Sequence, residues 1–255
     1  MGKAPREFTH RKSKTDMKKI KISYTKKLSL SACFCILIMS QVVFAQELEI
    51  EKSAKKESKE YQYSLGLSFY HGRYGLDVNK QKALYWIKES ANSGYSEACL
   101  ELGRFYSKGD IVTQDYYQAF DWFKKSSEYG SVEGHYQLGI CYQLGEGTLI
   151  NPNKAFENFL VAAKMGYDKA AYNVGIYYYR GLLGNKSYSS ALEWFQKSSD
   201  SFPDAKYMLG VMTFYGHGTN ESKSKAASLI KQSYEEGYLK AKEFWDENEL
   251  WRYTN

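Results

Sequence analysis

Cysteine is scarce in this sequence, which holds four in 255 residues. Cys33 and Cys35 lie in an N-terminal leader described below, so only Cys99 and Cys141 remain in the rest of the chain. Two cysteines exclude the disulfide framework on which many small secreted domains depend. In the helical register derived below, the two lie about 9 Å apart along the helix axes, whereas a bridge needs Cα atoms within about 7 Å. We expect both to be small core residues.

Histidine is also scarce, and the common catalytic motifs are missing. The three histidines outside the leader are His71, His135 and His217. None belongs to a His-x-x-x-His or Cys-x-x-Cys arrangement, so we expect no metal and no cofactor. The sequence has neither a Gly-x-Ser-x-Gly nucleophile elbow nor a phosphate-binding Gly-x-x-x-x-Gly-Lys loop.

One catalytic spacing does occur, near the C-terminus. Ser222 with Lys225, and again Ser228 with Lys231, have the Ser-x-x-Lys spacing of penicillin-recognising enzymes. No companion motif follows, and Ser222 is better explained as a helix cap. We therefore predict a protein that is not an enzyme, with a β-lactam or cell-wall hydrolase as the remote alternative.

Net charge is small once the leader is set aside. The whole chain has a formal charge of +6, and its first 45 residues hold ten Lys or Arg against two acidic residues, a net +8. The rest of the chain therefore carries −2, the difference between these values. This balance provides no basic surface of the kind that binds nucleic acid, so we expect no nucleic-acid partner.

The N-terminal segment has the layout of a secretory leader. A Lys-rich stretch precedes an uncharged apolar run over residues 28–45, which ends in a small residue, Ala45. This pattern predicts a signal peptide at residues 1–45 and an exported chain, periplasmic or secreted. A start at Met17 would give a leader of more usual length, and a lipoprotein-like box ending at Cys33 is disfavoured because most of the apolar run follows it. A retained anchor is the alternative, so we expect membrane contact only if the leader is not cleaved.

A repeat occupies most of the remaining sequence. A Leu-Gly or Val-Gly pair recurs with glycine spacings of 37, 36, 36 and 35, and an alanine recurs with spacings of 36, 36, 36 and 35. The repeat glycines are Gly66, Gly103, Gly139, Gly175 and Gly210. The repeat alanines are Ala83, Ala119, Ala155, Ala191 and Ala226. This period is typical of helical solenoids, in which each unit covers the apolar face of its neighbour.

Glycines and polar caps divide each repeat into two short antiparallel helices. Six residues after each repeat glycine, a second glycine can end a helix in the left-handed conformation. These glycines are Gly72, Gly109, Gly145, Gly181 and Gly216. Strong N-cap residues then begin the second helix, and they are Asn79, Asp115, Asn151, Ser187 and Ser222. That helix runs through Trp86, Trp122, Phe159, Trp194 and Leu229.

The second repeat shows a family resemblance. Its first helix reads Ala98-x-x-x-Leu102-Gly103-x-x-Tyr106-x-x-Gly109, and its second reads Asp115-x-x-x-Ala119-x-x-Trp122-Phe123-x-x-Ser126-x-x-x-Gly130. This pattern resembles the Sel1-like repeat, a relative of the tetratricopeptide repeat, and the resemblance covers about residues 61–238. It implies an all-α fold, a right-handed α/α superhelical solenoid whose first helices line the concave side. It also implies the usual role of an adaptor in protein complexes.

The resemblance and the caps together define the expected organisation. We expect a polar linker at residues 46–60, five helix-turn-helix repeats, and a C-terminal capping helix at residues 239–255 that covers the last repeat. The repeats are expected at residues 61–95, 96–131, 132–167, 168–202 and 203–238.

The first helix of each repeat has two apolar stripes. With the repeat glycine as position 0, positions −5, −1, +2 and +3 share the arc that should face the second helix. Position −3 lies on the opposite arc and is mostly tyrosine. Its residues are Tyr63, Leu100, Tyr136, Tyr172 and Tyr207. We expect this ladder to pack adjacent repeats together, and a grip on a partner peptide is the alternative.

Positions −2 and +5 vary from repeat to repeat, as recognition of a particular partner requires and as an unconstrained surface also does, and position +1 lies on the same arc as the ladder. The candidate partner-binding residues are Glu101, Arg104, Lys108, Gln137, Ile140, Leu144, Asn173, Ile176, Arg180, Met208, Val211 and Tyr215. We predict a monomeric, non-enzymatic scaffold or adaptor in the bacterial cell envelope that binds a protein or peptide partner in its concave groove. The alternatives are an immunity protein that neutralises an envelope-acting toxin and a secreted factor that acts on a host cell.

Overall fold

The structure, a computed structural model, describes residue 41 and residues 45–254 and divides into two compact units. The first unit ends at Glu57 and the second begins at Ser58. The predicted signal peptide lies almost entirely outside the described residues. Within those residues, no helix combines the length and the apolar character that crossing a membrane requires.

The described part of the first unit is helical where we expected a linker. Residues 45–54 form helix α1, and Lys52 Nζ lies 2.8 Å from Glu49 Oε1, one turn away. Most of the segment that we expected to be a polar linker, residues 46–60, is therefore helical, and its role as a linker stays a prediction. The stretch is rich in Glu, Lys, Leu and Ala and has no Gly or Pro, a composition that favours a helix as readily as a solvated tail.

The second unit is an all-α solenoid of five repeats in the described chain, as predicted. The first helices of the repeats are α2 (Lys59–His71), α4 (Ser96–Lys108), α6 (Val132–Leu144), α8 (Asp168–Arg180) and α10 (Pro203–Tyr215). The second helices are α3 (Lys80–Asn92), α5 (Tyr116–Glu128), α7 (Pro152–Lys164), α9 (Tyr188–Ser198) and α11 (Lys223–Glu235). Each first helix packs against the second helix of its own repeat, and each second helix packs against the helix that follows it.

Local sequence explains where these helices begin and end. All five predicted N-caps are confirmed; Asn151 Oδ1, for example, accepts a hydrogen bond from the Lys154 backbone N–H at 3.0 Å. Each first helix ends at its predicted glycine, with φ between 66° and 77°. Because a side chain is strained at such φ values, glycine ends the helix there at little cost.

The repeat glycines allow the two helices of a repeat to approach closely. A Cβ built on Gly103 would lie 2.4 Å from Cε1 of Phe123, and one built on Gly139 would lie 2.6 Å from Cε1 of Phe159. Both distances are well inside van der Waals contact, so a larger residue would force the close-packed helices apart. The five repeat alanines are buried in the same interface.

The third repeat departs by one residue from the predicted register of the second helix. The prediction that groups Phe159 with the tryptophans of other repeats is wrong. Phe159 instead occupies the position of Phe123, against the repeat glycine, and Asn158 occupies the tryptophan position. Asn158 Oδ1 lies 3.2 Å from His135 Nδ1, so a polar contact replaces indole packing in this repeat.

The C-terminal region has two parts instead of the single helix expected over residues 239–255. Helix α12 (Leu239–Glu247) packs on α11 and buries Ala241 and Trp245. A short 3-10 helix (Leu250–Tyr253) follows and buries Leu250. Glu249 separates the two because its backbone is left-handed, with φ 50°, which an α-helix does not accommodate.

Cys99 and Cys141 are buried free thiols, which confirms their prediction as core residues. Burial raises the pKa of Cys99 to about 11 and the pKa of Cys141 to about 12. Because the thiolate is the reactive form of cysteine, both side chains are chemically quiet at neutral pH.

Candidate functional site

The tyrosine ladder packs adjacent repeats together. In four repeats the residue at position −3 contacts an aromatic residue at the N-cap of the first helix of the next repeat, or of α12 after the last repeat. The ring centroids lie 5.3 Å apart in Tyr63–Tyr95, 5.0 Å in Tyr136–Tyr167, 5.3 Å in Tyr172–Phe202 and 5.3 Å in Tyr207–Tyr238. We call these four pairs the aromatic rungs. Such pairs contribute about 0.5–1.5 kcal/mol beyond the area that they bury.

The second repeat shows that a rung depends on both of its members. Its residue at position −3 is Leu100, and the next N-cap is Ser131, which accepts a hydrogen bond from the Gly134 N–H at 3.1 Å. The aromatic N-caps Tyr95 and Tyr167 make no side-chain cap bond. Ring packing between repeats therefore replaces polar capping wherever both members are aromatic.

Burial changes the acid–base behaviour of the rungs. It raises the pKa of Tyr63, Tyr172, Tyr207 and Tyr238 to about 12. These tyrosine hydroxyls therefore stay neutral at neutral pH and supply no phenolate for chemistry. Their role is in packing.

A half-buried ion-pair cluster joins α4 to α6. Arg104 Nη1 lies 3.1 Å from Glu101 Oε2, and Arg104 Nη2 lies 2.6 Å from Glu133 Oε1. Burial alone would lower the pKa of Arg104, but its hydrogen bonds to Glu133 and Glu101 raise it. Arg104 is therefore shared between two carboxylates within the protein, and this half-buried cluster of three side chains keeps a formal charge of −1.

The other candidates at position +1 lie against the core. Ile140 and Ile176 are partly buried beside the core clusters of their repeats. Val211 is only 8% exposed, so its prediction as a partner contact is wrong. Helix α12 covers this end of the solenoid: the Phe244 ring lies 5.8 Å from the ring of Tyr207, which is one turn from Val211 on the same face of α10.

Position −2 is half-buried in the four repeats that carry candidates. Asn173 hydrogen-bonds to Tyr136 and so joins its aromatic rung. Met208 packs against the cluster that contains Phe195. Gln137 lies at the same depth as Asn173. These side chains line the surface without protruding from it.

Among the candidate positions, only +5 is exposed in all five repeats. Its residues, which we call the terminal row, are His71, Lys108, Leu144, Arg180 and Tyr215. Each is the last residue of its first helix. Leu144 is 57% exposed and Tyr215 is 52% exposed. Within the described chain, no carboxylate lies within 4.0 Å of the Lys108 or Arg180 side-chain nitrogens.

Stacked rings extend the terminal row at Tyr215. The Tyr215 ring lies 5.6 Å from the ring of His217, which stacks on Tyr188 at 4.5 Å with the planes 4° apart. Tyr179 Oη lies 3.3 Å from His217 Nδ1. Gly218 brings the loop onto Tyr188, since a Cβ there would lie 2.8 Å from the Tyr188 carbonyl carbon. Tyr215 therefore presents an exposed ring from a supported position.

Sequence reasoning missed the apolar loop residues that follow the first helices. Leu149 is 87% exposed, and Ile150, Leu182 and Leu183 are also exposed. These loops lie at the same end of the first helices as the terminal row. The signal was present in the sequence, because paired aliphatic residues are unusual in loops dominated by turn-forming residues.

The Ser-x-x-Lys spacings have structural roles. Ser222 Oγ accepts a hydrogen bond from the Lys225 backbone N–H at 3.4 Å and caps α11. Ser228 Oγ accepts one from Gln232 Nε2 at 3.3 Å. In the part of the chain that the structure describes, no three His, Cys, Asp or Glu side chains are grouped to hold a metal ion.

The repeat pattern matches a known protein family. The model of the Sel1 repeat matches residues 59–95, 96–131, 132–167, 168–201 and 203–238, which together make up most of the chain. The first match begins at the start of α2, two residues before the boundary predicted from the sequence. None of the curated proteins matches this chain.

One solved structure of a similar protein shares the fold, and two others are similar over most of this chain. A Sel1 repeat protein from Oxalobacter formigenes is 24% identical, with a TM-score of 0.68, over 75% of this chain and 56% of that one. A protective antigen of uropathogenic Escherichia coli is 25% identical, with a TM-score of 0.47, over 75% and 49%. A Sel1 repeat protein from Klebsiella pneumoniae is 24% identical, with a TM-score of 0.48, over 78% and 97%. This chain spans about half the length of the first two proteins.

Proposed function

This chain belongs to the Sel1 repeat family, and from that premise we propose that it is a non-enzymatic scaffold that binds a protein or peptide partner with the exposed ends of its first helices. Sel1 repeats generally mediate protein–protein interaction. A fold does not by itself determine a function, so the proposal depends on the surface that this chain presents.

The observation that carries the proposal is the contrast between position +5 and the core positions. The repeat glycines and alanines are constant and buried in all five repeats. Position +5 is exposed in all five and carries a different residue each time, namely His71, Lys108, Leu144, Arg180 and Tyr215. A line of exposed, dissimilar side chains on a rigid scaffold is suited to one particular partner.

We also propose that the chain works outside the cytoplasm. The support is the leader pattern, a Lys-rich stretch followed by the uncharged run over residues 28–45. Chain recovered from a periplasmic fraction or from culture medium should begin at Gln46 on N-terminal sequencing. Recovery only from the membrane fraction, with the leader intact, would replace this proposal by an anchored protein.

The scaffold proposal is tested by affinity capture from an envelope extract, with mass spectrometry of what is retained. A row variant removes four exposed side chains of the proposed surface. Its substitutions are Lys108→Ser, Leu144→Ser, Arg180→Ser and Tyr215→Ser. A matched control removes two lysines, one aromatic and one aliphatic side chain from the second helices and their ends. Its substitutions are Tyr85→Ser, Lys124→Ser, Lys164→Ser and Met165→Ser.

A partner retained by the unchanged chain and by the control, but lost by a folded row variant, supports the proposal. The identity of that partner would also separate the specific roles: a toxin would indicate an immunity protein, and a host protein would indicate a secreted factor. If the row variant retains every protein that the unchanged chain retains, the terminal row is not the binding surface.

A further inference from the structure

The terminal row specifies a class of partner, and, building on the scaffold function proposed above, we propose that it binds an extended acidic segment with apolar residues between its acidic ones. The segment would belong to another protein and would lie across the C-terminal ends of α4, α6, α8 and α10. Charge, spacing and exposed apolar surface each support this assignment.

The uncompensated charge of the terminal row is positive. Lys108 and Arg180 are exposed, without a carboxylate within 4.0 Å in the described chain, and the row itself contains no Asp or Glu. The acid nearest in sequence to Lys108 is Asp110, which accepts hydrogen bonds from the Tyr70 hydroxyl and, at 3.0 Å, from Lys80 Nζ. Lys108 contributes a smaller electrostatic effect to the lowered pKa of Asp110, but it makes no ion pair with that carboxylate and stays exposed to a partner.

The other charged candidates are paired within the protein, in a half-buried cluster whose formal charge of −1 is smaller than the +2 of Lys108 and Arg180. Glu101 and Arg104 are paired with each other, and Arg104 also binds Glu133 across the repeat boundary. That cluster is committed to holding α4 against α6. A partner approaching the candidate surface therefore meets two free cations and no free carboxylate among the twelve candidate residues.

The spacing of the row suits an extended chain. The first helices α4 and α6 touch, and packed helices lie about 8–10 Å apart, a spacing that we extend to α8 and α10 because the repeats have nearly equal length. An extended segment rises about 3.3 Å per residue, so successive row residues would meet partner residues about three positions apart. Lys108 and Arg180 are two repeats apart and would meet acidic residues about six positions apart.

Apolar side chains occupy the places between and beyond the two cations. Leu144 lies in the repeat between Lys108 and Arg180, and Tyr215 lies in the repeat after Arg180. Both are more than half exposed. The partner segment should therefore alternate acidic and apolar residues at intervals of about three, ending in an apolar residue for the Tyr215 ring.

A protein segment fits the row better than an anionic membrane does. Cations and apolar groups alternate here from one repeat to the next. A partner must therefore carry acidic and apolar residues at a matching spacing. A fluid lipid surface carries no such spacing. Membrane binding also depends on net positive charge over a broad surface, whereas the row offers two cations in separate repeats.

The test is selection from a display library of random peptides of about twelve residues, a length that spans four row positions. The selection is run on the full chain and on a charge variant, Lys108→Ser with Arg180→Ser. The matched control is Lys164→Ser with Lys169→Ser, which removes the same charge from exposed residues at the opposite end of the repeats. In parallel, sedimentation with vesicles of phosphatidylglycerol and phosphatidylcholine measures membrane binding.

We expect the full chain and the control to enrich peptides with acidic residues about six positions apart and an apolar residue midway between them. The charge variant should lose this enrichment and bind a selected peptide at least about tenfold more weakly at low salt. A selected peptide with Gln in place of Glu should lose affinity for the full chain by a similar factor.

Three outcomes overturn the proposal: enrichment without acidic residues, the same acidic enrichment on the charge variant, or no enrichment at all. Binding to anionic vesicles that depends on Lys108 and Arg180, without peptide binding, would assign the row to a membrane instead. These outcomes are separate from the capture experiment. A captured protein that depends on the row but shows no acidic preference leaves the scaffold function standing and removes this inference alone.

Discussion

The last residue of each first helix differs from the turns before it in how residues that vary between repeats are used. In those turns, the aromatic rungs and the Arg104 ion pairs join one repeat to the next. At the C-terminal end, the terminal row is exposed in every repeat. Variation in a repeat protein is therefore no sign of binding by itself. Glu101 and Arg104 vary because they form a contact of their own, whereas Lys108 and Arg180 vary without one.

This difference follows from the stacking of a solenoid. Each repeat contacts only its neighbours, so the residues that face the next repeat must supply the stability that a single hairpin lacks. The last residue of a first helix precedes the C-cap glycine and a loop, where no neighbouring helix covers it. A substitution of this residue therefore leaves the packing between repeats unchanged.

The largest loss of stability should come from a substitution in the core beneath the aromatic rungs. Phe159 is fully buried, and its ring lies 5.7 Å from the ring of Tyr136. Phe159→Ala should lower the free energy of unfolding by about 3–5 kcal/mol, because it removes a buried ring and leaves a cavity. Urea unfolding followed by circular dichroism measures the change.

Tyr117→Ala is the matched control for this prediction, since it also removes an aromatic ring, but one that is 74% exposed. Its cost should stay within about 0.5 kcal/mol. A cost for Phe159→Ala that is no larger than the cost for the control would show that the second helix does not pack as the structure has it.

The next effect should appear as alkaline destabilisation of the aromatic rungs. Burial raises the pKa of Tyr63, Tyr172 and Tyr207 to about 12 in the folded chain, against about 10 in the unfolded chain. The unfolded state therefore loses these protons first as the pH rises. Stability should be complete below about pH 10 and should fall between about pH 10 and 12.

Tyr172→Phe removes one of these groups and keeps its ring. The variant should lose less stability than the unchanged chain between about pH 10 and 11, measured as the urea midpoint at each pH. Tyr74→Phe, which lies in solvent, should leave the profile unchanged. If Tyr172→Phe and Tyr74→Phe have the same alkaline profile as the unchanged chain, the ring of Tyr172 is not packed as a rung.

Features that depend on local sequence were predictable. The N-caps and the C-cap glycines recur at fixed places in every repeat, and each acts on a backbone only a few residues away. Five copies of the same pattern then identify the solenoid, since neighbouring units must stack to bury their apolar faces. The prediction for Phe159 failed because Asn158 interrupts the recurring tryptophan, although Ala155 fixes Phe159 four residues on, just as Ala119 fixes Phe123.

Features that depend on distant contacts were not predictable. The pairing of Arg104 with Glu133 joins side chains 29 residues apart, and Tyr207, one turn before the buried Val211, contacts Phe244 in α12. Helical periodicity places both residues on the outer arc of the first helix and does not show what covers that arc. The composition of residues 46–60 likewise suits a helix and a linker equally, so only the structure distinguishes them.

The smallest effect on stability, and the sharpest test of the comparison, should come from two arginines, Arg180 in the terminal row and Arg104 one turn before that row. Arg180→Ser in the terminal row should change the free energy of unfolding by no more than about 0.5 kcal/mol, because the side chain is exposed and unpaired in the described chain. Arg104→Ser should cost about 1–2 kcal/mol, because it leaves Glu101 and Glu133 half-buried and without their partner. If Arg180→Ser and Arg104→Ser lower the free energy of unfolding equally, exposure does not distinguish free side chains from paired ones. The choice of the terminal row as the free surface would then lose its physical basis.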